Sequence, residues 1–286
     1  MRTGWIAFAA FFMAISTAQT AEVIQWYAGD FPPGIILRGR DQGKGYLDQI
    51  MKVIQEGLPE YEHRIVIAAP VRISHDITVY PNVCIAGATY SAERAQSRVF
   101  SDVIFSFLPS GLLIRADKLA SLRSLMDEEG RVSLRQFIQS NIGRIGVMNQ
   151  RIYGGTVDPL LNSEGAQLER IDLASGDDAL AMRVALGRNL DAALTYGFEI
   201  TWLGRQDAET ASMLRWLPVQ EEPDVMASRI SCSKSAFGER IVERMNRVIR
   251  TAGNSERFQR FYEGWLDDDS AQRLRKLIKA SGKARK

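Results

Sequence analysis

The sequence predicts an α/β protein of about two closely joined domains, and three observations carry that reading. Short apolar runs of strand character alternate with helical patterns of ten or more residues, the order expected of sheets with parallel strands. A chain of 286 residues amounts to roughly two domains of ordinary size, each able to bury a core. The composition is 45% apolar, 24% charged and 9% aromatic, which excludes disordered, collagenous and coiled-coil chains. Lys and Arg number 36 against 34 Asp and Glu, so no basic field marks a nucleic-acid partner.

Residues 1–21 read as a signal segment. Arg2 supplies the positive start and Trp5–Ile15 an uncharged run of about eleven residues, too short to span a bilayer. Ala18 and Ala21 each offer a small-residue cleavage site. The mature protein is therefore expected in the periplasm, with no later membrane span. The first strand is Val23–Tyr27, broken by Phe31-Pro32-Pro33-Gly34. Leu47, Ile50, Met51 and Ile54 then share one face of a helix, which Gly57 and Pro59 close. Arg64–Ala69 and Asn82–Gly87 are the next strands. A second alternating series follows: a helix over 133–140, a strand over 144–148, and a Gly154-Gly155 turn that leads into 156–161. A strand over 168–171, a helix over 177–186 with Asp177 and Asp178 in its first turn, and strands over 190–194 and 214–219 complete it. The last third holds a strand over 225–232 and helices over 236–251 and 255–265. Its final segment, 267–286, is highly charged and reads as a frayed, solvated terminal helix, a charged C-terminal tail.

Much chemistry is absent. No phosphate-cradling glycine loop and no Gly-x-Ser-x-Gly elbow occur. His63 and His75 are twelve residues apart, not the four that would pair them on a helix for zinc. No metal and no cofactor is expected. His63 reads as a surface residue and His75 as a helix or loop residue. Cys84 and Cys232 lie in apolar strand-like runs, and the sequence leaves open whether they bond.

Residues 82–117 are the most informative. Ser91-Ala92-Glu93-Arg94, Phe100-Ser101-Asp102 and Leu112-Leu113-Ile114-Arg115 occur in the order of the Thr-x-Glu-Arg, Phe-Ser-Asp and second-lobe strand motifs of the family 3 periplasmic solute-binding proteins. Asp30-Phe31-Pro32-Pro33, Gly45-Tyr46-Leu47-Asp48, Arg144-Ile145-Gly146-Val147, Leu190-Asp191-Ala192-Ala193-Leu194 and Ile230-Ser231-Cys232-Ser233-Lys234 match further motifs, so the chain resembles that family over residues 22–266. The resemblance implies a two-lobed, type II fold, with two mixed sheets flanked by helices and a two-strand hinge near 106–109 and 220–225. Lobe one would comprise 22–107 and 224–266, and lobe two 108–223.

The family resemblance also assigns roles. Arg94 takes the place of the arginine that pairs with a ligand carboxylate, a task suited to a guanidinium fork. Thr89 and Ser91 would add hydroxyl groups, and Phe31 an aromatic wall. Tyr196 stands where amino-acid binders carry the Asp that pairs with the ligand ammonium. Arg151 and Tyr153 lie in the lobe-two loop, and Arg151 is a second candidate cation. The implied activity is capture of a small polar or anionic ligand for an ABC permease or a membrane sensor, by a monomer that is not an enzyme. On an alternative lyase or dehydratase reading, Glu199 and Asp158 would be the acids; a partner-binding module without a small ligand is the third reading.

Overall fold

The computed structural model describes residues 21–284 apart from 150, 152, 154–155, 164 and 172–177. Most of the expected signal segment, the Gly154-Gly155 turn and Asp177 lie outside the described residues. Ten strands form two five-stranded mixed sheets. The first holds β1 (Val23–Ala28), β2 (Glu62–Ile67), β3 (Val83–Thr89), β4 (Arg98–Phe107) and β10 (Met226–Ser233), in the order β2-β1-β3-β10-β4. The second holds β5 (Gly111–Arg115), β6 (Ile145–Met148), β7 (Leu168–Ile171), β8 (Ala192–Thr195) and β9 (Leu214–Pro218), in the order β7-β6-β8-β5-β9. β1 is parallel to β2 and β3, and β6 is parallel to β7 and β8. The strands next to the crossings run the other way: β10 is antiparallel to β3 and β4, and β5 to β8 and β9. This is the two-lobed architecture that the resemblance implies.

The helices are α1 (Tyr46–Glu56), α2 (Pro70–Val79), α3 (Leu134–Gln139), α4 (Val157–Leu161), α5 (Asp178–Ala185), α6 (Gly197–Gly204), α7 (Ala208–Ser212), α8 (Ala236–Arg250), α9 (Asn254–Glu263) and α10 (Asp268–Ala284). α1 lays Leu47, Ile50, Met51 and Ile54 onto the first sheet, each worth about 1.5–3 kcal/mol on full burial. Its start is fixed by Asp48, whose carboxylate accepts the Gly45 and Ile36 amides at 3.0 Å each. Gly45 is required there, because a Cβ would stand 2.2 Å from the Gly34 carbonyl oxygen. That close approach packs the Phe31–Gly34 loop against the helix.

One open question is answered and two expectations change. Cys84 and Cys232 are disulfide-bonded across the β3–β10 pair, with their Cα atoms 4.1 Å apart. His63 is not a free surface residue: its Nδ1 accepts the Trp26 indole N–H at 3.0 Å and its Nε2 lies 3.0 Å from the Leu58 carbonyl. The charged C-terminal segment is helical as expected, but it is docked rather than frayed and solvated. α10 buries Ala271 and Leu274 in the first-lobe core, because these two lie one turn apart on a face otherwise hidden by the surrounding charges. Arg273 then donates to the Glu129 carbonyl in the second lobe at 3.3 Å.

Candidate functional site

Four loops leave the carboxyl ends of strands and meet between the lobes, where ligands bind in open α/β sheets. Residues 29–31 follow β1, 90–94 follow β3, Arg151 follows β6 and Tyr196 follows β8. They enclose a cavity of about 830 Å³ lined from one lobe by Tyr27, Phe31, Thr89 and Arg94, and from the other by Met148, Arg151, Tyr196 and Trp202.

The Arg94 turn is built locally. The Ser91 hydroxyl accepts the Arg94 amide at 3.1 Å, which sets the short 3₁₀ turn over Arg94–Gln96. The Arg94 Nη1 donates to the Thr89 hydroxyl at 2.6 Å and to the Thr89 carbonyl at 3.1 Å. Both acceptors are neutral, so the guanidinium is aimed without being neutralised.

Arg151 sits differently. Its Nη1 lies 3.1 Å from Glu199 Oε1, and the two side chains are 13% and 6% exposed. The guanidinium is flanked by the rings of Tyr196 at 5.5 Å, Phe31 at 5.8 Å and Tyr153 at 6.0 Å, within cation–π range. Glu199 also accepts the Tyr196 amide at 3.3 Å, holding the start of α6. The second cation expected for a ligand is therefore matched by a carboxylate of its own lobe.

The aromatic wall crosses the lobe boundary. Tyr196 stacks on Phe198 with centroids 5.0 Å apart, and Phe31 meets both rings edge-on at 6.3 and 5.9 Å. Phe198 packs in the first lobe's core although α6 belongs to the second. Burial raises the Tyr46 and Tyr196 hydroxyls above the usual tyrosine range, so both rings stay neutral.

Of the residues singled out from the sequence, Arg94, Thr89, Phe31, Arg151 and Tyr196 line the cavity. Ser91 shapes the turn behind it. Tyr153 turns into the second-lobe core, 5% exposed, where its hydroxyl accepts the Met148 amide at 2.8 Å; burial pushes that hydroxyl up to about 12. Glu199 and Asp158, the acids of the enzyme reading, are engaged by Arg151 and by the Tyr153 amide at 3.2 Å. Sequence reasoning missed Trp202, Phe198 and Tyr27, and also Glu222. This last residue lies in the crossing segment, 7% exposed, and accepts the Ser110 hydroxyl at 2.9 Å. Among the described residues, no group of three or more His, Cys, Asp or Glu side chains could hold a metal ion.

No family model and no curated protein matches the chain. Solved structures do. A putative L-cystine ABC transporter protein from Listeria monocytogenes aligns over 89% of this chain and 100% of its own, at 15% identity and a TM-score of 0.66. The chain has the two-lobed fold of periplasmic binding proteins. An ancestral arginine-binding protein bound to arginine is also similar, at 14% identity and a TM-score of 0.63 over 87% of this chain and 100% of that one. So is a histidine kinase sensor domain with similarity to periplasmic binding proteins, at 13% identity and a TM-score of 0.62 over 86% and 96%. Among the described residues, no helix is long and apolar enough to cross a membrane.

Proposed function

We propose that this chain is an exported solute-binding protein that captures a small polar or anionic molecule between its lobes. The captured solute is handed to an ABC permease or read by a membrane sensor. The observation that carries this reading is the convergence of strand-end loops from both lobes on one cavity, with the Arg94 guanidinium held, among the described residues, by the two neutral oxygens of Thr89. Hinge closure around a ligand is an established switching mode for two lobes joined by short crossings. The engagement of Glu199 by Arg151 and of Asp158 by a backbone amide favours binding over lyase chemistry, since each carboxyl already has a partner in its own lobe.

A thermal-shift screen of the mature protein against amino acids, dicarboxylates and aromatic acids tests this. A ligand present at 100 times its Kd adds about 2.7 kcal/mol to the folded state, which is a rise of several degrees for a chain of this size. The expected result is a shift that disappears in Arg94→Ala. A flat screen from well-folded protein would reject the reading and leave the partner-binding module.

A further inference from the structure

We propose that the cleft takes an aromatic monocarboxylate without an ammonium group, its carboxylate on Arg94 and its ring among the aromatic side chains of both lobes. The inference rests on the solute-binding reading and names the ligand class of that same site.

Charge accounting around the cavity carries the first half. Arg94 meets only the two oxygens of Thr89 and forms no ion pair among the described residues. Arg98 stands close enough for the two like charges to oppose each other: burial, then Arg94, lowers its pKa. Its buried Nε has no hydrogen-bond partner. The field at this end of the cleft is therefore positive and uncompensated, which favours an anion. Arg151, by contrast, is matched by Glu199 at 3.1 Å, so the cavity offers one free guanidinium fork and suits one carboxylate.

Nothing described in the cavity suits an ammonium. Asp30 is the single carboxylate among its described lining residues. It is already held by Arg38 at 3.0 Å and by the Leu37 amide at 3.3 Å. The position where an amino-acid binder would carry an acid is Tyr196, whose hydroxyl burial keeps neutral. An ammonium brought into such a site is desolvated without a partner, a cost that a neutral methylene in the same place does not incur.

The shape and lining carry the second half. About 830 Å³ falls within the roughly 300–1,000 Å³ of cavities that enclose drug-sized ligands, and it leaves a large apolar volume beyond Arg94. Rings reach it from both sides: Phe31, Tyr27 and Phe107 from one lobe, Tyr196, Phe198 and Trp202 from the other. The edge-on and stacked geometry of Phe31, Tyr196 and Phe198 presents both ring faces and ring edges to a guest. A guest ring gains from each such contact beyond its buried area.

Calorimetric titration with 3-phenylpropanoate and L-phenylalanine isolates the ammonium, since the two probes differ in that group alone. Hexanoate tests the ring and succinate the second carboxylate. The expected order places 3-phenylpropanoate at least about tenfold tighter than each of the others, because each lacks a ring contact or brings a charge that the cavity leaves unpaired. Arg94→Gln should weaken it at least about tenfold and Arg94→Lys by less, since a charge-assisted fork is stronger than a point charge. The melting temperature of each unliganded variant shows whether it remains folded. If L-phenylalanine, hexanoate or succinate binds as tightly or tighter, the ligand class is overturned and the solute-binding reading stands. If none of these molecules binds wild-type protein, the ligand class is overturned, and the solute-binding reading stands or falls on the wider thermal-shift screen.

Discussion

Glu222 gives this fold a pH dependence that can be calculated and measured. The residue lies in the segment that returns from the second lobe to the first, 7% exposed, with one hydrogen bond from the Ser110 hydroxyl. Burial raises its pKa from 4.5 to about 7; the Asp158 charge adds to the rise and the Ser110 bond opposes it. A carboxyl with a raised folded-state pKa holds its proton longer when folded than when unfolded. Its contribution to stability is therefore fully present below the unfolded value of 4.5 and is lost as pH rises toward about 7. The span of roughly 2.5 units corresponds to about 3 kcal/mol at 1.36 kcal/mol per unit. Glu222→Gln keeps the acceptor for Ser110 and removes the titration. Urea unfolding of both proteins at pH 4 and pH 8 isolates the effect, because every other titrating group is common to the pair. The expected result is that the stability difference moves by about 3 kcal/mol in favour of the variant between pH 4 and pH 8. A difference that stays constant across that range would refute the reasoning, and would mean that Glu222 is hydrated and ionised in the folded protein.

Three further outcomes follow from the packing. Arg151→Ala leaves Glu199 buried without its cation and should cost about 3 kcal/mol. Arg151→Met combined with Glu199→Gln should recover most of that loss, a coupling that a double-mutant cycle in urea measures. Leu274→Ala should lower stability by about 3 kcal/mol if α10 is docked as described, against less than about 0.5 kcal/mol for a solvated tail. Reducing the Cys84–Cys232 bond, or replacing both residues by Ser, opens a loop with a sequence separation of 148. It should cost about 5 kcal/mol on the chain-entropy account, read as a fall in the urea midpoint.

Much of the fold is legible because its helices and strands carry their own periodicity. The stripe Leu47, Ile50, Met51, Ile54 marks α1, and Ile241, Met245 and Ile249 mark α8. α2 escapes because only Asp76 and Ile77 of its ten residues are buried, which leaves no stripe. α6 escapes for the opposite reason. It lies between the lobes, with Gly197, Phe198, Glu199 and Leu203 all buried, and so shows no polar face. In α10 the apolar positions Ala271, Leu274 and Ile278 are present but sit among so many charges that composition suggests a tail.

The candidate site divides along similar lines. Arg94, Thr89, Phe31 and Tyr196 lie at or just past strand ends, which converge, and the family resemblance supplies their roles. Tyr153 follows one too, but its rotamer is set by the Met148 amide, a tertiary detail with no sequence signal. The partnership of Arg151 with Glu199 spans 48 residues, and that of Cys84 with Cys232 spans 148. Both depend on which strands become neighbours, and that is a property of the assembled topology.

Hydrogen exchange with and without the ligand from the thermal-shift screen tests the central claim, a solute held by both lobes at once, most directly. Ligand should slow exchange together in the loops around 29–36 and 89–96 of the first lobe and around 149–153 and 196–203 of the second. Protection confined to one lobe, or absent from all four segments, would contradict the account.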